Sequence, residues 1–121
     1  MPVAIHIIED DPSVRDAAHE LVATDGRIVR DYEDPKAFFA APPPGPEDIV
    51  VLDINFPLGS GVEIAERLKR DYPNIKIVVI SGLRALPFAK AIAEIAPVAS
   101  FRKPLDGAAF ADCITRLSAS K

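Results

Sequence analysis

The chain has 121 residues, enough for one compact domain and too few for two independent cores. Its 14 basic and 18 acidic residues leave a net charge of −4 with the acids scattered along the chain, so the basic footprint of a nucleic-acid binder is missing, and 49% hydrophobic with 26% charged residues is a globular balance. A lone cysteine, Cys113, excludes an internal disulfide and a multi-cysteine zinc site and suits the reducing cytoplasm, while apolar runs far shorter than about 20 residues and a start without a basic region exclude a membrane span and disfavour secretion.

Val3 to Ile8 is an apolar, β-branched run that stops at Glu9, Asp10 and Asp11, the pattern of a buried strand that delivers carboxylates at its end. Asp11-Pro12 then opens a helix with Val14, Ala17, Ala18, Leu21 and Val22 on one face, and Gly26 supplies the stop. Ile28 to Tyr32 is a second strand, and Asp34-Pro35 caps a short helix carrying Phe38 and Phe39. Pro42-Pro43-Pro44-Gly45-Pro46 locks φ and removes amide donors, so it is an extended connection. Ile49 to Leu52 is a third strand ending at Asp53, followed by a loop over Phe56-Pro57-Leu58-Gly59-Ser60-Gly61. Val62 to Tyr72 is helical with Val62, Ala65, Leu68 and Tyr72 inward. Ile75 to Ile80 is a strand closed by Ser81-Gly82, Pro87 to Ala96 a helix, and Val98 to Phe101 a fifth strand followed by Lys103-Pro104. Asp106 caps a last helix whose Phe110, Cys113, Ile114 and Leu117 form its buried face.

Five strand-helix alternations predict a parallel α/β sheet with helices on both faces, and functional loops beyond the strand carboxyl ends. Those ends carry Glu9 and Asp10, Asp53, Ser81 and Lys103. Three neighbouring carboxylates repel one another unless a cation sits among them. With no cysteine or histidine nearby, the oxygen donors select a hard ion, Mg²⁺, for which Mn²⁺ could substitute. A cation, an ammonium and a hydroxyl around a carboxylate suit phosphoryl transfer onto an aspartate.

These pieces, IIEDDPSVR, VVLDINFPLGSG, IVVISG and FRKPLD, resemble the receiver domain of two-component response regulators over the whole chain. The separations of 43 residues from Asp10 to Asp53, 28 from Asp53 to Ser81 and 22 from Ser81 to Lys103 are similar to the family's. The resemblance implies a (βα)5 doubly wound, five-stranded parallel sheet of flavodoxin-like order 2-1-3-4-5. It implies Asp53 as phosphoacceptor, and Mg²⁺ held by Asp10, Asp53 and the backbone carbonyl of Asn55, with Glu9 helping through water. Ser81 and Lys103 would hold the phosphoryl oxygens, and a cis Lys103-Pro104 bond would aim the ammonium inward. It further implies a histidine kinase or phosphotransfer protein as donor and a downstream protein target met near the fourth helix, fifth strand and fifth helix. Family dimers form through several faces. With one domain in 121 residues and no output domain, the expectation is a stand-alone cytoplasmic receiver that accepts a phosphoryl group without turning over outside substrates.

Two positions depart from the family pattern. Ser100 stands where Tyr or Phe is common three residues before the lysine, and alternation sends Phe101 to the opposite face, so the usual aromatic toggle is in doubt. Leu83 stands two residues after Ser81 where a polar side chain would position water, which points to slow self-dephosphorylation. Asp11 reads as a cap, Cys113 as core, and His6 and His19 as isolated, structural residues. A phosphatase of the haloacid dehalogenase type needs an acid/base Asp where Asn55 stands. A flavin phosphate would be repelled by Glu9, Asp10 and Asp11, and a phosphorylation-independent interaction module would not need Asp10, Asp53, Ser81 and Lys103 together.

Overall fold

A computed structural model describes residues 3–23, 27–54, 58–83 and 85–119, with the backbone alone for 58–60, 85 and 119. Five strands, β1 (Ala4–Ile8), β2 (Ile28–Tyr32), β3 (Ile49–Asp53), β4 (Lys76–Ser81) and β5 (Ala99–Arg102), alternate with five helices, α1 (Pro12–Val22), α2 (Pro35–Ala40), α3 (Leu58–Asp71), α4 (Ala85–Ile95) and α5 (Gly107–Ala119). The strands form one parallel sheet in the order β2-β1-β3-β4-β5. This is the doubly wound architecture that the alternating pattern predicts.

The continuous apolar runs of β1 and β3 are buried along their whole length because helices cover both faces. On one face Ile8, Val50, Leu52, Ile77 and Val79 pack with Phe38 of α2, Ala65 and Leu68 of α3, and Ala91 and Ile95 of α4. On the other, Ile5, Ile7, Ile49, Val51, Val78 and Ile80 meet Ala18 and Val22 of α1 and Phe110 and Ile114 of α5. Each large side chain so buried contributes about 1.5–3 kcal/mol. The edge strands β2 and β5 are half exposed, and among the described residues no helix is long and apolar enough to cross a membrane.

Three predicted caps are in place: Asp11 accepts from the amides of Ser13 (2.9 Å) and Val14 (3.4 Å), Asp34 from Ala37 (2.8 Å) and Asp106 from Ala109 (3.1 Å). Helix α1 buries its predicted stripe except for Ala17, which faces solvent, and it ends at Val22; the stop expected from Gly26 lies outside the described residues. Two predicted boundaries shift by a few residues, with α4 beginning at Ala85 and β5 running from Ala99 to Arg102.

The loop expected to run to Gly61 is corrected: α3 already begins at Leu58, and 55–57 lie outside the described residues. Glycine at 61 serves close packing rather than a turn, because a Cβ there would lie 2.9 Å from Ile54 Cγ2. The expectation that the histidines are isolated is also corrected. His6 Nε2 lies 2.8 Å from Asp48 Oδ2, a partner 42 residues away that the parallel register brings to the amino end of β3. His19 Nδ1 reaches both carboxylate oxygens of Asp31 at 2.9 Å, clasping α1 to β2.

Candidate functional site

Backbone pairing carries each strand just far enough to deliver its polar residue. Asp53 ends β3 opposite Ile80, Ile54 N donates to Ile80 O (3.1 Å), and Ser81 ends β4 opposite Arg102. Lys103 N donates to Ser81 O at 2.7 Å, placing the lysine one step past β5, and the Lys103-Pro104 peptide is cis as the resemblance implies. Glu9 N donates to Tyr32 O at 3.0 Å, fixing the end of β1. The following turn is held by Arg15, whose Nη1 donates to Glu9 O (2.8 Å), and by Asp11 N, which donates to Glu9 Oε2 (3.1 Å). Asp11 thus serves the helix end, as its cap pattern predicts.

These elements bring together residues up to 94 positions apart in sequence. Glu9, Asp10 and Asp53 each offer an oxygen within 4.8 Å of the others, with Glu9 and Asp53 buried and Asp10 at the exposed mouth. Lys103 Nζ lies 2.8 Å from Glu9 Oε1 and 3.4 Å from Asp53 Oδ1. Ser81 is buried and its Oγ accepts from Leu83 N at 2.9 Å. Burial is the largest single influence on Lys103 and opposes its charge. Hydrogen bonding to Glu9 and attraction to Asp53 and Glu9 together outweigh it, so the ammonium titrates above an ordinary lysine. Asp10 is held below the usual carboxylate range first by a hydrogen bond with Glu9, with burial opposing and Asp53 and Lys103 assisting.

The donor set is all oxygen and anionic, with three carboxylates facing one ammonium, and it fits a hard divalent ion such as Mg²⁺. Asn55, whose carbonyl the resemblance adds to that set, lies outside the described residues. The lysine-glutamate contact is one that sequence reasoning missed, since it assigned Lys103 to phosphoryl oxygens alone. The position of Ser100 agrees with the predicted alternation: it is exposed, whereas Phe101 packs inward, edge to face on Phe110 at 5.4 Å.

The chain matches the response regulator receiver domain over residues 5–115. It is 28% identical over 114 residues to the transcriptional regulatory protein FixJ of Rhizobium meliloti, covering 94% of this chain and 56% of that protein. It is 29% identical over 100 residues to the response regulator protein TodT of Pseudomonas putida, covering 83% of this chain and 44% of TodT. The chain therefore spans about half the length of these curated relatives. Among solved structures, a response regulator from Thermotoga maritima superposes with a TM-score of 0.84 at 15% identity, covering 99% of this chain and 100% of the other. The BeF3-activated DrrB receiver domain gives 0.83 at 21% identity, covering 97% of each. Fold and family match thus agree with the carboxylates gathered at the strand ends, and the chain belongs to the response regulator receiver domain family of two-component signalling.

Proposed function

We propose that this receiver accepts a phosphoryl group on Asp53 from a histidine kinase or phosphotransfer protein, and that it signals by passing the group on or by presenting a changed surface to a downstream protein. The observation that carries the reading is a buried carboxylate at a strand end with an ammonium 3.4 Å away and two more carboxylates within 4.8 Å. An Asp53 oxygen attacks phosphorus while the bond from phosphorus to the donor breaks, and the electron pair leaves with the donor's imidazole nitrogen or acyl oxygen. Lys103 offsets the charge on the phosphoryl oxygens, and the Ser81 hydroxyl donates a hydrogen bond to one of them. Glu9, Asp10 and Asp53, with the Asn55 carbonyl, would hold Mg²⁺, which when bound supplies positive charge to the phosphoryl oxygens. Leu83 is partly buried against the core and brings no polar side chain beside Ser81, which supports slow loss of the phosphoryl group.

The test is incubation with acetyl phosphate and Mg²⁺, followed by intact mass. The native chain gains one phosphoryl group, the gain disappears on chelation, and Asp53→Asn gains none. Undiminished labelling of Asp53→Asn overturns the acceptor assignment, and a phosphorylated lifetime of seconds overturns the slow-loss reading.

A further inference from the structure

Toward the amino end of the sheet, β1, β2 and the proline-rich connection flank a cavity of about 180 Å³. An engineered apolar cavity of about 150 Å³ already accommodates benzene, so the space suits one small ring with substituents. Its walls divide by chemistry. Pro42, Pro43 and the Tyr32 ring supply apolar surface, the exposed Arg30 brings a cation to the rim, and His6 and Asp48 are the buried part of the lining. Arg30 has no ion-pair partner among the described residues, and its neighbour Asp31 is engaged by His19 instead. It stands near enough to the Tyr32 phenol to work against the burial that raises that group's pKa, so a cation and a hydroxyl donor share the cavity.

His6 is only 3% exposed. Its Nε2 meets Asp48 Oδ2 at 2.8 Å, and a carboxylate that also accepts two backbone amides keeps the hydrogen of the neutral ring on Nε2. Nδ1 is then a lone-pair acceptor, and it has no hydrogen-bond partner among the described residues. A buried acceptor without a donor is costly, and a ligand that brings a donor removes the cost.

We propose that this cavity binds a monocyclic aromatic carboxylate with a hydroxyl on the opposite side of its ring. The carboxylate meets Arg30 and the Tyr32 hydroxyl at the rim, the ring lies against Tyr32 and the prolines, and the hydroxyl donates to His6 Nδ1. The reverse orientation would set the anion against the Asp48 carboxylate, which like charge disfavours. The chain would then carry a small-molecule site in addition to its phosphoryl pocket.

The probe is 4-hydroxybenzoate, titrated into the full chain and followed by NMR of the backbone amides and of the His6 ring nitrogens. Saturable binding is expected with a Kd of about 0.1–1 mM, the range for a ligand of about ten heavy atoms. The amides of Ala4, His6, Arg30, Tyr32 and Gly45 shift, and the Nδ1 signal of His6 moves upfield as it gains a hydrogen bond. Benzoate, which lacks the hydroxyl, and salicylate, whose hydroxyl lies beside its own carboxylate, bind about three- to tenfold more weakly, the size of one hydrogen bond. Arg30→Gln weakens binding about tenfold while its labelling by acetyl phosphate stays native, which shows the variant is folded. Tyr32→Phe weakens it by a smaller factor. Absence of saturable shifts up to about 10 mM overturns the site and leaves a cavity for water only. Equal binding of the three acids, native affinity in Arg30→Gln, or shifts at Glu9, Asp10 and Lys103 in place of those around His6 overturn it as well. None of these results touches the phosphoacceptor reading, which acetyl phosphate labelling tests on its own.

Discussion

The two ends of the sheet each bury a carboxylate, and they treat it in opposite ways. At the amino end Asp48 meets three donors, Ala4 N at 3.1 Å, Gly45 N at 2.8 Å and His6 Nε2 at 2.8 Å. Tyr32 stacks on His6 with ring centroids 6.2 Å apart, and Phe38 meets it edge-on at 5.6 Å. At the carboxyl end Glu9 and Asp53 share the ammonium of Lys103 with Asp10 close beside them, and negative charge is left in excess. A carboxylate whose oxygens are matched by donors pins the proline-rich connection to the sheet and is a structural element. Carboxylates crowded round a single ammonium repel one another and are poised for a cation.

The sharpest way to break this contrast is Asp48→Ala, which strips three donors of their acceptor. It should lower stability by about 3–5 kcal/mol in urea unfolding, and a loss below 1 kcal/mol would mean that the amino end is no better matched than the pocket. Adding Mg²⁺ should do the reverse at the other end, raising stability by about 2.7 kcal/mol at a hundredfold excess over its Kd, and an unfolding midpoint that does not move with Mg²⁺ would show that the pocket takes no cation. Asp53→Asn should stabilise the metal-free chain by about 1–2 kcal/mol, since Lys103 keeps Glu9 as partner and one buried charge is removed; destabilisation would show that Asp53 is already balanced. The smallest effect concerns Tyr32, whose pKa is raised chiefly by burial, with Arg30 opposing and Asp31 assisting. The folded state holds the phenol neutral, so this contribution is complete below about pH 10 and is lost as pH climbs through the raised value. Tyr32→Phe should therefore flatten the alkaline fall in stability, and an unchanged slope would remove Tyr32 from that account.

How much of this was legible in the sequence depends on whether the signal is local. Apolar runs and caps at Asp11, Asp34 and Asp106 are local, so element order and three helix starts could be read directly. The strand-end residues Glu9, Asp10, Asp53, Ser81 and Lys103 could be read because a parallel sheet gathers strand ends whatever the details of packing. The start of α3 could not, because its glycine answers to Ile54 across a gap that only the fold creates. Asp48 was missed for a related reason. Its one visible signal was an acid immediately before a buried strand, and its partner His6 becomes a neighbour only through the register of β1 on β3. The contact between Lys103 and Glu9 also depends on two strands that are not adjacent in the sheet.

At the far end of α4, Lys69 of α3 donates through Nζ to the carbonyl of Ile95 and, at 2.8 Å, to that of Ala96, where the chain turns with a positive φ of 50°. A cation on these last carbonyls satisfies groups that the helix leaves open and complements its dipole. Helix α4 is thus moored to α3 at its tail, while its head, about 16 Å away over eleven residues, carries the exposed Leu86.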